Sequence, residues 1–296
     1  MNMSYLKNSR GAKKIFSLKF YVALLVCLSV PALFLLSYAY GEDASWQSLY
    51  DKSVSLSKAN KVADATIAAK EALEVSIKTF GENDYKTGKS LNNLAELYRK
   101  QEKFDKAEPL YRHALAIYEK TFTSDSPQVA SILTNIALFY YYQTDFFSAE
   151  HPAKRALEIM VRYYGAGHPN VAKALTNLAE IYRMEQKEDE AAKLHKRALE
   201  VKLKTYGPLH PTIAESLNNM GIINFYQGQH DTAILLYEKA LDINEKASGM
   251  DNPSNAAILV NLSNAYLAKN EVEKAAEYRK KAREIRSKQL AAEKTS

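Results

Sequence analysis

The sequence predicts an all-α protein: a right-handed α-solenoid of antiparallel helix pairs, preceded by an N-terminal hydrophobic segment. Three observations support this fold class. A leucine-rich pattern recurs every 42 residues between Leu91 and Leu259, each period contains two amphipathic helical stretches, and proline or glycine marks the ends of these stretches. A fixed period of about 20 to 50 residues is typical of supersecondary units that stack on one another.

Composition excludes several kinds of site. The chain has 296 residues, and Cys27 is its single cysteine, so neither a disulfide within the chain nor a thiolate metal site can form. Because 47% of the residues are hydrophobic, the chain has enough apolar surface to be stabilised by packing.

The net charge of +6 is concentrated at the N-terminus. Residues 1–41 contain five basic residues and no acidic residue, which leaves 35 basic and 34 acidic residues in the rest of the chain. A basic protein is often a nucleic-acid-binding protein, but here the repeat region is close to neutral. We therefore predict no nucleic-acid partner.

An uncharged, mostly apolar run at residues 20–41 follows these basic residues. This layout is typical of a segment that enters a membrane with its basic end in the cytoplasm. Two interpretations of residues 1–41 remain open. Small residues at Ser37, Ala39 and Gly41 favour a cleaved signal peptide, whereas the length of the run suffices for a membrane anchor, which needs about 20 residues. Both predict export: the rest of the chain is periplasmic or secreted after cleavage, or is anchored in the inner membrane by residues 20–41.

The 42-residue period divides the chain into rows, and we predict five to six repeats over residues 49–290. A short segment at 42–48 leads into the repeats, and a polar tail at 291–296 follows them. The predicted rows are 49–90, which is degenerate, 91–132, 133–174, 175–216, 217–258 and 259–290.

The first helix of a pair is predicted to begin at a proline. These prolines are Pro127, Pro169, Pro211 and Pro253. Proline suits the first helical position because its fixed φ fits the helix and its missing N–H would have had no partner there. In the third row the helix is predicted to run from Pro127 through Tyr142. Its buried stripe, at the i, i+3, i+4, i+7 spacing, is Leu133, Ile136, Ala137 and Tyr140.

The second helix carries alanine at two fixed positions, seven residues apart. The alanines are Ala65, Ala107, Ala149, Ala191, Ala233 and Ala275, then Ala72, Ala114, Ala156, Ala198, Ala240 and Ala282. About two helical turns separate the two positions, so both face one way, and their small size predicts a close approach between helices. Glycine then ends the unit, where we predict a left-handed exit from the helix. These glycines are Gly81, Gly165, Gly207 and Gly249.

These fixed positions resemble a known family. The series Leu91, Leu94, Ala95, Tyr98, Ala107, Tyr111 and Ala114 resembles the tetratricopeptide repeat (TPR), whose usual unit has about 34 residues. The 42-residue period and the Gly-x-x-His-Pro loops at 165–169 and 207–211 resemble the repeats of kinesin light chains. Row 49–90 departs from the pattern because it lacks the asparagine and tyrosine signals, as a degenerate cap would.

One asparagine recurs in the first helix of five rows. It is Asn93, Asn135, Asn177, Asn219 and Asn261. In the family that the chain resembles, this position faces the concave side of the superhelix, where the asparagines bind an extended peptide. A carboxamide suits this role because it both donates and accepts hydrogen bonds. An alternative stays equally open: each asparagine bonds to a neighbouring helix and only sets the stacking.

Side chains close to the asparagines would determine specificity. We predict that Leu138, Tyr142, Ile222, Tyr226 and Lys100 contribute to the same surface. Aromatic residues are frequent anchors in protein interfaces. The alternative is that the two tyrosines cover the edge of the core.

The sequence contains no motif that supports an enzyme. A glycine-rich phosphate loop and a nucleophile elbow are both absent, so we assign no catalytic residue and no cofactor. His168 and His210 lie one repeat apart. Neighbouring helices are ~8–10 Å apart, whereas two nitrogens on one zinc lie within roughly 4 Å, and we therefore predict no metal site.

We predict a non-enzymatic scaffold that binds a protein or a peptide in the concave groove of the superhelix. Membrane contact is predicted only through the N-terminal segment, and only if that segment is not cleaved. A second hypothesis is an architectural or oligomerising subunit of an envelope complex, which would use the convex face or the ends of the repeat array.

Overall fold

A computed structural model describes the backbone of residues 43–295 and the side chains of residues 43–291. The signal peptide or anchor predicted at 1–41 lies outside the described residues. The described part of the chain forms twelve α-helices and no strand, which confirms the all-α fold class. None of these helices combines the length and the apolar character that crossing a bilayer requires.

The helices follow one another with short connections. They are α1 (43–58), α2 (Val62–Phe80), α3 (Tyr85–Lys100), α4 (Phe104–Thr121), α5 (Pro127–Tyr142), α6 (Phe146–Tyr164), α7 (Pro169–Met184), α8 (Glu188–Tyr206), α9 (Pro211–Tyr226), α10 (His230–Ser248), α11 (Pro253–Ala268) and α12 (Val272–Thr295).

The chain divides into two compact units, Met1–Lys103 and Phe104–Ser296. In the described part of the first unit, α2 packs against α3. Trp46 of α1 is buried, and its Nε1 donates to Ser90 Oγ of α3 at 2.8 Å. The segment at 42–48 that leads into the repeats therefore lies within α1 from residue 43 onward.

The second unit contains α4 to α12, and each of these helices from α5 onward packs against the next one. The contacts are most extensive within α5–α6, α7–α8, α9–α10 and α11–α12, which are four helical hairpins. The predicted polar tail, 291–296, continues α12 as far as Thr295. The second unit is thus a stack of antiparallel helix pairs, each with a first helix and a second helix.

Alanine makes the close packing within this stack possible. All twelve alanines at the two fixed positions are at most 2% exposed, which confirms the predicted close approach. The helices also approach closely at Gly221 of α9, where a Cβ atom would lie 2.5 Å from Cε1 of Tyr237 in α10. Of the stripe predicted in α5, Leu133, Ile136 and Ala137 are buried, whereas Tyr140 is only half-buried, so the prediction is wrong for that residue.

The first helices begin where the prolines predict, and a side chain caps each start. Ser126 accepts from the Val129 N–H, and Asn252 accepts from the Ser254 N–H. At the other two starts the acceptor is Nδ1 of a histidine, His168 or His210. An imidazole nitrogen thus takes the place of the usual cap oxygen and bonds an N–H that the helix leaves unpaired.

Residues with positive φ occur both in the turns that follow second helices and in the turns inside the hairpins. The glycines that end second helices, such as Gly165 with φ 82° and ψ 154°, have the predicted positive φ but an extended ψ, so the prediction of a left-handed helical exit is wrong in ψ. This region is open essentially to glycine alone. Inside the hairpins a residue with φ between 57° and 75° recurs every 42 residues. It is Asn60, Glu102, Thr144, Gln186, Gly228 and Asn270.

Candidate functional site

The recurring asparagines lie on the first helices, and all five are partly buried. Asn93 belongs to α3 in the first unit, and Asn135, Asn177, Asn219 and Asn261 belong to α5, α7, α9 and α11 in the second. None of them is enclosed between packed layers. They differ, however, in what their carboxamides contact.

Two of the asparagines bond to the preceding helix pair. Asn93 Nδ2 donates to Ser53 Oγ of α1 at 2.8 Å, and Asn261 Nδ2 donates to Asn218 Oδ1 of α9 at 2.8 Å. These two carboxamides therefore link neighbouring helix pairs.

Asn177 of α7 lines three cavities. The first, of about 310 Å³, lies between α5 and α7 and is also lined by Asn135 and Tyr164. The second, of about 350 Å³, lies between α7 and α9 and includes Tyr206. The third, of about 130 Å³, includes Leu138. We call this surface the Asn177 face and define it by Asn135, Leu138, Tyr164, Lys173, Asn177, Glu180 and Tyr206.

Two aromatic stacks form one edge of the Asn177 face. The rings of Tyr164 and His168 are stacked with centroids 4.3 Å apart, and those of Tyr206 and His210 with centroids 4.7 Å apart. Each histidine also caps the helix that follows it. The caps and stacks hold both tyrosines against the start of a first helix, where they line the first and second cavities.

Positive charge lies at the centre of the face. Lys173 is exposed and lines both of the larger cavities. Lys202 lines the second cavity but is only 7% exposed, and its Nζ donates to Ser216 Oγ at 3.0 Å and to Glu215 Oε2 at 3.4 Å. Lys202 is therefore paired with Glu215, whereas Lys173 forms no ion pair within the described residues.

Glu180, which lines the third cavity, contacts a buried histidine. His195 of α8 is 1% exposed, and its Nε2 lies 3.2 Å from Glu180 Oε1 without the alignment of a hydrogen bond. Arg183 Nη2 lies 2.9 Å from Glu180 Oε2. Burial opposes the charged form of Glu180, but its contacts with His195 and Arg183 outweigh burial and lower its pKa.

The other predicted specificity residues separate into four groups. Leu138 lines the third cavity beside Asn177. Tyr142 and Tyr226, at the ends of α5 and α9, are 56% and 68% exposed, so they do not cover the core. Ile222 packs against the hydrophobic core of the later pairs. Lys100 belongs to the first unit, where its Nζ donates to Ser57 Oγ at 2.9 Å.

Three residues of the Asn177 face were not predicted from the sequence: Lys173, Tyr164 and Tyr206. A signal for the tyrosines was present, because Tyr-x-x-x-His recurs one period apart as Tyr164 with His168 and Tyr206 with His210. Lysine is not a fixed residue at the repeat position of Lys173, because among the other rows only Lys89 shares it. In the part of the chain that the structure describes, no three histidine, cysteine, aspartate or glutamate side chains are grouped so as to hold a metal ion.

A family model with the description "Tetratricopeptide repeat" matches residues 47–120, 128–204, 177–246 and 212–288. The chain belongs to the tetratricopeptide repeat family. TPR proteins are in general scaffolds for protein–protein interaction, without enzymatic activity of their own, and they typically bind protein partners. No curated protein sequence matches this TPR protein.

Solved structures similar to this TPR protein include kinesin light chain-like proteins. BtubC (BKLC) from P. vanneervenii is 25% identical with a TM-score of 0.64, over 78% of this chain and 91% of that one. A Podospora anserina protein described as a kinesin light chain with nearly identical TPR-like repeats is 24% identical with a TM-score of 0.59, over 68% and 95%. PilF of Pseudomonas aeruginosa, at 18% identity and a TM-score of 0.56 over 80% and 90%, shares the fold. The predicted kinesin light chain-like TPR architecture is confirmed.

Proposed function

We propose that this TPR protein is a scaffold that binds an extended peptide segment of a partner protein along the Asn177 face. One observation carries the proposal: Asn177 lines three cavities at once, so its carboxamide is presented to space that a ligand can enter. A carboxamide matches a peptide backbone because it can accept from an N–H and donate to a C=O.

The surroundings of Asn177 support a peptide rather than a small apolar ligand. The two larger cavities lie on either side of Lys173 and Asn177, so an extended chain can pass from one to the other. Tyr164 and Tyr206 offer aromatic surface at the edge of the face, and such residues are common anchors of interfaces. Lys173 favours an acidic side chain in the peptide over a basic one.

The proposal includes a location outside the cytoplasm, because residues 1–41 have the layout of a signal peptide or an anchor. Cell fractionation followed by mass determination of the mature N-terminus tests this part. A truncated mature chain indicates a signal peptide, and a full-length chain in the membrane fraction indicates an anchor. Recovery of the full-length chain from the cytoplasm would contradict export.

Substitution of the asparagines tests the site. Peptides are selected against the wild-type protein from a display library, and their affinities are measured for N135A/N177A/N219A and for the control N93A/N261A. We expect a loss of at least about tenfold in the first variant, because several backbone hydrogen bonds disappear together. The control should keep its affinity and lose thermal stability instead.

The reverse result favours the second hypothesis, an architectural or oligomerising subunit of an envelope complex. If N135A/N177A/N219A loses stability and retains its peptides, these asparagines set the stacking of helices. The Asn177 face is then not the binding surface.

A further inference from the structure

The last described helix, α12, presents a row of side chains that is exposed along its whole length. The row is Val272, Ala276, Arg279, Arg283, Arg286 and Leu290, and each of its members is exposed. The spacing alternates between four and three residues, which is the spacing of a coiled-coil seam that faces a partner helix. We call this row the α12 seam. It spans about 27 Å at 1.5 Å per residue.

Earlier second helices bury the same positions. Ala276, Arg279, Arg283 and Arg286 correspond, one period back, to Ile234, Tyr237, Leu241 and Asn244 of α10. Three of these α10 side chains are at most 7% exposed, and Leu241 is half-buried and packs against the core. In α10 these positions are covered from both sides: Tyr237 contacts Gly221 of α9, whereas Ile234 and Leu241 pack in core clusters that include residues of α11.

The chemistry of the seam differs from that of its earlier counterparts. The leucine that recurs at 157, 199 and 241 is replaced by Arg283, and Tyr237 by Arg279. A helix with an apolar stripe would leave three guanidinium groups desolvated and unpaired, which is costly. A helix that packs here must therefore carry carboxylates opposite the arginines.

Nearby acidic residues do not neutralise the seam. Lys274 pairs with Glu271, Lys281 with Glu277, and Lys288 with Asp251, each at 2.7 Å. Within the described residues, Arg279, Arg283 and Arg286 form no ion pair, and Arg279 Nη2 donates only to Asn264 Oδ1 at 3.3 Å. The charge of the three arginines is therefore available to a partner.

We infer that the α12 seam docks an acidic helix of a partner protein, with carboxylates at i, i+4 and i+7 opposite Arg279, Arg283 and Arg286. Arginine forms bidentate pairs with carboxylates in a fixed geometry, which would set the register of the partner helix. Apolar residues of the partner would pack on Val272, Ala276 and Leu290 at the two ends of the seam.

Two other occupants fit less well. A helix that binds a membrane surface needs a broad apolar face, whereas α12 places its exposed Val272 and Leu290 at opposite ends of the seam. Residues 1–41 of this chain contain no acidic residue and cannot complement the arginines. The seam also lies apart from the Asn177 face, so the inference does not depend on the proposed function.

A designed peptide tests the inference on the full chain. The peptide is a labelled amphipathic helix with three glutamates at the i, i+4, i+7 spacing and leucines at the flanking seam positions. A control peptide of the same composition carries the glutamates on the opposite face. We expect the first peptide to bind at least about tenfold more tightly than the control, and binding to weaken as salt increases.

Charge reversal in the protein is a second test of the inference. R279E/R283E/R286E should bind the glutamate peptide at least about tenfold more weakly than wild type does. The same variant should gain affinity for a peptide in which lysines replace the glutamates. The matched control, K193E/K196E/R197E, makes the same change of charge on exposed residues of α8 and should stay within about twofold of wild type. N135A/N177A/N219A should bind the glutamate peptide as wild type does, which separates this test from that of the Asn177 face.

Several results would overturn the inference. These are equal binding of the two peptides, an equal loss in the α8 control, or no binding of either peptide at millimolar concentration. Arginine-dependent binding to vesicles with phosphatidylglycerol, in the absence of peptide binding, would assign the seam to a membrane. Self-association that R279E/R283E/R286E abolishes, again without peptide binding, would assign it to a second copy of the chain.

Discussion

The hydroxyl of Tyr182 donates to Oε1 of Glu150 at 3.3 Å and thereby ties the first helix of one pair to the second helix of the pair before it. The equivalent hydroxyl of Tyr140 donates to Glu108 at 3.1 Å, and that of Tyr266 donates at 3.1 Å to Glu238, a glutamate about one turn further along the second helix. Because this tyrosine belongs to the repeat pattern, a tyrosine–glutamate hydrogen bond recurs between neighbouring helix pairs.

Removal of the Tyr182 hydroxyl tests whether this hydrogen bond stabilises the protein. Tyr182→Phe should lower the free energy of unfolding by about 1 kcal/mol, because Glu150 loses a partly buried hydrogen bond while the ring stays in place. Urea denaturation measures the loss. Tyr163→Phe changes a tyrosine that is 63% exposed and should have little effect. Equal losses in the two variants would mean that the bridge contributes nothing.

The ring of Tyr237 leaves no room for a Cβ atom at position 221. Gly221→Ala should destabilise the protein by about 1–2 kcal/mol, because overpacking a close helix contact outweighs the better helix propensity of alanine. The ring is 2% exposed and has little room to move. A double-mutant cycle with Tyr237→Ala checks the cause: the penalty of Gly221→Ala should disappear when the ring is absent. An unchanged penalty would place its cause elsewhere.

Thr144 adopts a backbone conformation that is unfavourable for a β-branched residue, with φ of 61°. Thr144→Gly should raise the free energy of unfolding by up to about 1 kcal/mol, because glycine reaches this region without a steric cost and the equivalent Gly228 already does so. Thermal or urea unfolding measures the gain. In the helix interior, where no such strain exists, Thr134→Gly should cost about 1 kcal/mol. A loss in both variants would show that Thr144 is not strained.

Glu180 makes the stability of the protein depend on pH. Its pKa in the folded state is lowered, so the stabilisation is present above the unfolded pKa near 4.5 and is lost as pH falls through the folded pKa. Glu180→Gln should lower stability by about 1 kcal/mol at neutral pH. The difference from wild type should shrink below about pH 4.

A matched control for Glu180 exists two rows earlier. Glu96 pairs with Arg99 at 2.5 Å, as Glu180 pairs with Arg183, but in this row the repeat position of His195 is a tyrosine, Tyr111. Urea unfolding of Glu180→Gln and Glu96→Gln at several pH values separates the effect of the histidine. If Glu180→Gln is no more pH-dependent than Glu96→Gln, the contact with His195 is not the cause.

Much of the fold could be predicted because the determinants are local. A proline at the first helical position, a periodic apolar stripe and two buried alanines depend on the residues of one hairpin, and each recurred in register with the others. The exits from the second helices were predicted less well. Glycine indicated positive φ correctly, but ψ of Gly165 depends on how the loop joins the next first helix.

The candidate site could be predicted only in part. The sequence singled out all five asparagines as equivalent, yet the structure separates Asn93 and Asn261, which bond to the preceding pair, from Asn177, which lines three cavities. Their carboxamides have the same chemistry and the same place in the repeat. The difference comes from what the neighbouring pair offers, Ser53 or Asn218 in two cases and open space in the third.

The sequence by itself determined the helix pairs, their 42-residue register and the positions of close packing, because these follow from side-chain size and spacing within about one repeat. Only the tertiary structure decided which recurring residues line cavities and which tie neighbouring pairs together. It also decided that the arginines of α12 lie on the face that earlier helices bury. Such properties depend on which side chains of other pairs come within contact distance, and a periodic sequence does not specify that position by position.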